Sequence, residues 1–151
     1  METIDLQAKA RPLEGVIECY WFENPNVALA RTLFHRIRIP LAPFDSGLDY
    51  VSQPEETELV VEWINLGLDD PAELDGIKVA TGQNPDMEAS IYIGAAHNWF
   101  HIDRLIDRLT VRREGHRYRV SGVGTVEFAR EGVARDERFA FEAMAVYRGA
   151  A

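Results

Sequence analysis

The chain has 151 residues, of which 46% are hydrophobic and 27% charged, and its formal net charge is −9. This composition is typical of a folded globular protein and excludes a disordered or fibrous one. The acidic balance argues against nucleic-acid binding, because phosphate contacts require a net basic face.

The negative charge is concentrated in one third of the chain. Residues 41–90 contain twelve carboxylates and a single basic residue, Lys78, so this segment alone carries a charge of −11. Charge of one sign attracts cations and basic proteins and repels polyanions. The distribution therefore predicts a class of partner, although it names no reaction.

Length and the absence of repeats or linkers predict one domain over residues 1–151. Cys19 is the only cysteine, and its apolar neighbours predict a buried thiol that forms no internal disulfide. Residues 1–12 lack the features of a secretory signal, and no stretch is apolar enough to span a membrane. The sequence thus predicts a cytoplasmic protein with no membrane association.

The N-terminal part predicts two strands. Residues 16–22 are rich in β-branched and aromatic residues, and Asn24-Pro25-Asn26 predicts a turn after them. Residues 33–41 alternate with period two, and Pro40 should end this second strand or mark a sheet edge.

Two residues of these strands are candidates for a catalytic role. His35 lies on the apolar face of the second strand, which favours a neutral core histidine bonded to a backbone carbonyl over a catalytic base. Cys19 falls on the neighbouring predicted strand, so a Cys19–His35 dyad is the alternative. Burial would raise the pKa of such a thiol and make it inert.

The middle of the chain predicts a long loop followed by short strands. Residues 41–57 contain Pro43, Gly47 and Pro54 without a sustained period, which is typical of a loop. Apolar runs at residues 59–66, 77–81 and 87–93 are each bounded by turn-forming residues and predict strands.

The segment 98–109 fits either a short helix or a strand, since Trp99, Ile102, Ile106 and Leu109 recur at helical spacing. On a helix, His97 and His101 would share a face and, with Asp103, could bind zinc. Position 98 is Asn where the zinc-protease motif has Glu, so that mechanism is excluded. Bare metal binding is the alternative to a structural role, in which His97 and His101 are polar anchors of the aromatic segment Trp99-Phe100 packed against the sheet.

The C-terminal third predicts a three-stranded antiparallel meander that begins near Leu109, because two long period-two segments follow one another with short connections. Gly122 and Gly124 lie inside the first of them, which suggests a bend, a bulge or a bulky neighbour such as Trp99. The fold class predicted from all segments is mainly β, an antiparallel sandwich or partly open barrel of seven to eight strands.

No catalytic motif, phosphate-binding loop or cofactor signature stands out, so we predict no cofactor and favour a non-enzymatic role. The first hypothesis is an inhibitor or immunity-type protein that binds a basic protein through acidic loops. The predicted contact residues are Asp45, Asp49, Glu55, Glu56, Asp69, Asp70, Glu73 and Asp75.

The alternative hypothesis is a small-molecule-binding barrel or small enzyme. It is supported by the number of aromatic residues in segments expected to line the interior of the barrel or sandwich. The pocket would be formed by His35, Trp63, Tyr92 and Trp99. Small barrels are commonly filled by their own side chains, which would leave no such pocket. Strand edges with alternating apolar residues also leave homo-oligomerisation open.

Overall fold

The structure is a computed structural model that describes residues 2–48, 55–79, 84, 87–94, 99–105 and 109–151. The described residues include one short helix, α1 (Leu6–Lys9), and 3-10 turns at Pro25–Val27 and Ala129–Glu131. The strands are β1 (Gly15–Asn24), β2 (Leu29–Phe44), β3 (Glu55–Ile64), β4 (Ile77–Lys78), β5 (Glu88–Tyr92), β6 (Trp99–Asp103), β7 (Thr110–Glu114), β8 (Arg117–Val126) and β9 (Glu137–Ala150).

The nine strands form one mixed sheet that curls into a ring without becoming a regular barrel. Their order is β4-β7-β8-β6-β5-β3-β2-β1-β9. Strand β8 also pairs with β9, and this pairing closes the ring. Among the strands that the structure describes, β1 and β9 pair parallel and the other pairings are antiparallel. The predicted mainly β class is confirmed.

The core lies inside the ring and follows the period-two patterns of the sequence. On β2 the inward residues Ile37, Ile39 and Leu41 are buried, and on β9 Phe139 and Phe141 are buried in the same way. Burying alternate apolar side chains on one face stabilises each strand by about 1.5–3 kcal/mol per large residue. The opposite face of the same strands remains available for polar side chains.

Several predicted elements are confirmed. The Asn24 side chain accepts a hydrogen bond from the Asn26 N–H and begins the turn between β1 and β2. Strands β7, β8 and β9 form the predicted meander, since β8 pairs antiparallel with both of its neighbours. Of the two alternatives for residues 98–109, the strand is observed at Trp99–Asp103, and residues 106–108 lie outside the described residues.

Pro40 does not end its strand, which was one of the two predicted alternatives, but it lies where β2 has no regular strand beside it on one side. Strand β2 continues through it to Phe44 and pairs with β3, where Pro40 lies opposite Glu58. On its other side β1 has not yet begun, and the Leu13 N–H donates to the Pro40 carbonyl over 2.8 Å. The missing proline N–H is therefore tolerated because no regular ladder faces it.

The glycines of β8 face bulky neighbours, but Trp99 is not among them. A Cβ at Gly122 would lie 2.8 Å from both Leu105 Cδ1 and a ring carbon of Phe141. A Cβ at Gly124 would lie 2.7 Å from the Asp103 carbonyl oxygen. These two positions therefore let β6 and the residues after it approach β8 closely.

The N-terminal segment covers the part of β9 that precedes its pairing with β1. The Glu137 carboxylate accepts hydrogen bonds from the N–H groups of Ile4, Asp5 and Leu6, at 3.1, 3.0 and 2.8 Å. The Gln7 side chain bonds both the N–H and the carbonyl of Ala140. Among the described residues, no helix is long and apolar enough to cross a membrane.

Candidate binding groove

The outward faces of four adjacent strands, β2, β3, β5 and β6, form a groove of about 330 Å³. Except at Glu62 and Trp63, its position follows from strand alternation, because the described chain neighbours of the other lining residues point into the core. We call it the outer groove, and it is lined by Arg38, Glu58, Val60, Glu62, Trp63, Glu88, Ser90 and Trp99.

A bulge in β3 turns two consecutive side chains into the outer groove. Ile37 pairs with Val61 and His35 pairs with Ile64, so Glu62 and Trp63 together oppose one residue of β2. Trp63 adopts φ 61°, a left-handed conformation that is uncommon for a bulky residue and costs about 1–2 kcal/mol. The bulge brings a carboxylate and an indole side by side, which regular alternation would have placed on opposite faces.

Aromatic rings hold Trp63 in this conformation. The rings of Phe22 and Phe34 contact it edge to face with centroid separations of 4.9 and 5.4 Å, and Tyr20 lies at 5.6 Å. Such pairs contribute about 0.5–1.5 kcal/mol each beyond the area they bury. The packing therefore offsets the backbone strain, and one wall of the groove is fixed.

Carboxylates outnumber guanidinium groups in the outer groove. Glu58 pairs with Arg38 at 2.8 Å, whereas Glu62 and Glu88 lie directly opposite each other on β3 and β5. Like charges in direct cross-strand opposition destabilise a sheet. Three carboxylates against one guanidinium among the lining residues give the groove a net negative charge.

The two opposed carboxylates differ in their surroundings. Glu62 accepts a hydrogen bond of 3.2 Å from the Tyr20 hydroxyl and pairs with Arg36 at 3.4 Å. Burial, together with the charge of Glu62, raises the pKa of Tyr20 to about 12, so this hydroxyl remains a donor at neutral pH. Glu88 is exposed, and it has no hydrogen-bond or ion-pair partner within the described part of the chain.

The outer groove continues into a second depression of about 400 Å³, the adjoining pocket. The two share Glu58 and Trp99, and Trp99 is 48% exposed while its ring lies 5.5 Å from that of Tyr92. The adjoining pocket is lined by Leu13, Pro40, Leu41, Pro43, Glu56, Thr57, Glu58, Tyr92 and Trp99. Together they form an elongated surface that is acidic at one end and more apolar at the other.

The loop acids predicted to bind a partner divide into two groups at opposite ends of β3. Glu55 and Glu56 are the first two residues of β3 and not part of a loop, contrary to the prediction, and Asp45 directly follows β2. The acids of residues 69–75 follow the other end of β3, which is about 30 Å long. Those whose exposure is described are exposed, namely Asp45, Glu56, Asp69, Asp70, Glu73 and Asp75. Asp49 lies outside the described residues, and for Glu55 only the backbone is described.

Three of these loop acids bond to backbone N–H groups. Asp45 accepts from Gly47 at 2.8 Å, Asp70 from Ala72 at 2.9 Å, and Asp75 from Arg113 at 2.7 Å. Side chains of this kind stabilise turns and loops, as Asp70 does for the backbone of residues 70–72.

The four residues of the alternative pocket do not line one interior. His35 points into the core, whereas Trp63 and Trp99 line the outer groove and Tyr92 lines the adjoining pocket. His35 is 1% exposed, and its Nε2 donates to the Pro71 carbonyl over 2.9 Å. It is the carbonyl-bonded core histidine that its strand position predicted.

Cys19 and His35 are direct cross-strand partners on β1 and β2, but each has a different hydrogen-bond partner. The Cys19 sulfur lies 3.3 Å from the Tyr147 hydroxyl. Burial lowers the pKa of His35 and keeps the imidazole neutral, which suits a structural role. The thiol is buried, as its apolar neighbours predicted.

Of the weak metal candidates, His101 and Asp103 lie together on the outward face of β6, and His97 lies outside the described residues. The third member of their cluster is Glu127, which follows β8 and which the sequence did not single out. The three donor groups lie within 4.8 Å of one another.

The sequence did not single out the groove acids Glu58, Glu62 and Glu88 as contact residues, because the acidic-surface hypothesis rests on acids in loops. A signal was present, since Glu58, Val60 and Glu62 share one face of a strand, as do Glu88 and Ser90. The bulge at Trp63 left no comparable signal. Comparison of the chain with models of protein families, curated proteins and solved structures found no match.

Proposed function

We propose that this protein is a binding module, not an enzyme, and that its outer groove holds a basic side chain of a partner protein. The observation that carries the proposal is the opposition of Glu62 and Glu88 beside the rings of Trp63 and Trp99. An arginine or lysine of the partner would lie between the two carboxylates with its cationic group near an indole face.

The charges of the free outer groove favour a cationic ligand. Two carboxylates in direct opposition repel each other, and Glu88 has no compensating cation among the described residues. A bound guanidinium would remove that repulsion and form charge-assisted hydrogen bonds, which are about twice as strong as neutral ones. The repulsion that destabilises the free protein would therefore become a favourable contribution to the free energy of binding.

The shape of the outer groove favours a protein segment over a small molecule as its ligand. The outer groove is open to solvent and continues past Glu58 and Trp99 into the adjoining pocket. Small-molecule sites commonly enclose most of the ligand, whereas an extended, partly apolar surface suits a chain with several side chains. The acidic loops at the ends of β3 would add long-range attraction for a basic partner and speed association.

The test is a titration with a fluorescent arginine-rich peptide, followed by anisotropy. Glu88→Gln and Trp99→Ala should each weaken binding by about three- to tenfold, since each removes about 0.7–1.4 kcal/mol of interaction. Both residues are exposed, so both variants should remain folded. Raising the salt concentration should weaken binding to the unaltered protein.

The matched control is Glu73→Gln, which changes the net charge by the same amount on an exposed loop residue. We expect it to change the affinity less than twofold. If Glu73→Gln weakens binding as much as Glu88→Gln, the attraction comes from overall charge and the groove assignment is wrong. Equal affinity of the peptide for the unaltered protein and for Trp99→Ala would also count against it.

A basic partner would place this protein among inhibitor or immunity-type proteins, which mask a positively charged surface by charge complementarity. Capture from a cell lysate with the unaltered protein and with a Glu88→Gln/Trp99→Ala double variant would identify the partner. A basic protein retained by the first, released by salt and not retained by the second would support the proposal. Retention of the same proteins by both would contradict it.

A further inference from the structure

A second cluster of polar side chains lies on the outer surface where β6 meets β8. His101 and Asp103 are two residues apart on β6 and therefore point to the same side. Glu127 follows the last residue of β8, and its N–H donates to the His101 carbonyl over 2.9 Å. The backbone pairing thus brings together one imidazole and two carboxylates.

The distances in this cluster match those between ligands of one metal ion. His101 Nε2 lies 3.6 Å from Glu127 Oε1, and all three donor groups lie within 4.8 Å of one another. Two ligands at about 2.0–2.1 Å from a tetrahedral ion are separated by about 3.3–3.5 Å. Small side-chain rotations would therefore bring all three to bonding distance of one ion.

The backbone beneath the cluster has little freedom. Gly124 on β8 lies so close to β6 that a Cβ there would stand 2.7 Å from both the Asp103 carbonyl oxygen and a methyl carbon of Ile102. Ile102 and Val126, the neighbours of the ligand residues, are buried in the core. Ligands held on rigid strands lose less conformational entropy on binding than ligands on loops.

Two arginines lie near the carboxylates without forming close pairs. Arg104 Nε is 3.8 Å from Asp103 Oδ2, and Arg130 Nη1 is 4.0 Å from Glu127 Oε1. Their side chains are 83% and 71% exposed, so they can move into solvent at little cost. They partly balance the carboxylates and would be displaced by a divalent ion.

We propose that His101, Asp103 and Glu127 form a site for a divalent transition metal, for which Zn²⁺ is the test ion. An imidazole nitrogen favours zinc and related metals over magnesium or calcium, and the carboxylate oxygens complete a set that zinc accepts. Three protein ligands leave a position for water or for a group of a bound molecule. The metal site and the outer groove share no residue, although they are adjacent, since His101 pairs with the groove residue Ser90.

The experiment is calorimetric titration of the intact chain with ZnCl₂, together with NMR of the histidine rings at each step. We expect one Zn²⁺ per chain, with the ring resonances of His101 shifting on addition of the first equivalent. His116 lies on the exposed turn between β7 and β8, and its signals should not move. Glu127→Gln and Asp103→Asn should each weaken binding at least tenfold.

Glu131→Gln is the matched control, because it removes the same charge from an exposed residue of the adjacent turn, and it should leave the affinity within twofold. Arg104→Ala should strengthen binding, since it removes a competing cation. The absence of heat and of a His101 shift would overturn the proposal. An affinity unchanged by Glu127→Gln would overturn it as well.

Discussion

His35 shows how one buried polar residue can make the stability of this protein depend on pH. Its Nε2 is bonded to the Pro71 carbonyl, and its Nδ1 has no hydrogen-bond partner among the residues that the structure describes. Protonation would place a positive charge on an imidazole that is 1% exposed. Burial accordingly lowers the pKa of His35, against the smaller opposing effect of its hydrogen bond to Pro71.

The sign of the pH effect follows from this lowered pKa. In the unfolded chain His35 takes up a proton near its ordinary pKa of about 6.5, while in the folded protein it does so only at lower pH. The unfolded state therefore binds more protons below about pH 6.5, and the free energy of unfolding falls there. We expect the urea midpoint to fall between about pH 7.5 and about pH 5.5, a window in which most carboxylates stay ionised.

His35→Gln tests this prediction, because glutamine keeps an N–H for the Pro71 carbonyl and does not titrate. The fall in midpoint between the two pH values should be smaller in His35→Gln than in the unaltered protein. His116→Gln, on an exposed turn, should retain the full fall. An identical pH dependence in His35→Gln and the unaltered protein would show that other groups cause it.

The hydrogen bond of His35 also shows which features of a single residue can be predicted from sequence and which cannot. The inward position of His35 and its bond to a backbone carbonyl followed from strand alternation and from the cost of burying an unpaired polar group. That the carbonyl belongs to Pro71 did not follow, because the loop that contains it is 36 residues away in the chain. Local patterns carry no information on such contacts.

At the scale of the element, the bulge in β3 determines the chemistry of the outer groove. It turns Trp63 outward beside Glu62 and holds its backbone at φ 61°. Neither the composition of β3 nor its hydrophobic pattern indicates an extra residue, since tryptophan is seldom found in the left-handed region. The strand could be predicted, whereas the face on which Trp63 lies could not.

The strain at Trp63 can be measured by comparing Trp63→Gly with Trp63→Ala. Both variants lose the ring contacts, so that loss cancels in the comparison. Glycine has no Cβ and adopts positive φ without penalty, and we expect Trp63→Gly to be more stable than Trp63→Ala by about 1 kcal/mol. Urea unfolding of the two variants gives the difference directly.

Val60 of the same strand provides the control, because its φ angle is not positive. There the order should reverse, with Val60→Gly less stable than Val60→Ala by about 0.5–1 kcal/mol. If alanine is favoured at position 63 as well, Trp63 carries no backbone strain in solution.

At the scale of the whole molecule, the N-terminal segment packs against the first part of β9, which is distant from it in the chain. The Glu137 carboxylate accepts from three successive N–H groups, and the first of them belongs to a residue 133 positions away. Hydrogen bonds to a charged group contribute about 1.5–3 kcal/mol when both partners are held. The N-terminal segment is thereby held against β9.

We expect Glu137→Gln to lower the free energy of unfolding by about 1–3 kcal/mol, because an amide offers one acceptor oxygen and no charge. The amide hydrogens of Ile4, Asp5 and Leu6 should also exchange faster with solvent in this variant. Urea unfolding and hydrogen exchange measure the two effects. Glu131→Gln should show neither, and unchanged exchange in Glu137→Gln would contradict the role given to this carboxylate.

The limits of sequence reasoning are clearest at this scale. The class of fold and most strands followed from period two and from turn residues, and the C-terminal meander followed from short connections. The parallel pairing of β1 with β9 did not, because it joins residues 15–19 to residues 145–150 and no local pattern specifies it. The position of Glu127 beside His101 was missed for the same reason, since it depends on the pairing of β6 with β8.

The parallel pairing of β1 with β9 also bears on how the chain reaches this fold. The β1–β2 hairpin involves neighbouring segments and can form early, but the ring cannot close until the last strand is in place. Contacts between such distant segments make folding slow, because a large loop must close before they are formed. During synthesis on the ribosome, one edge of β1 therefore remains unpaired until β9 has emerged. The nascent chain is most prone to aggregation in that interval, because an unpaired strand edge can pair with another chain.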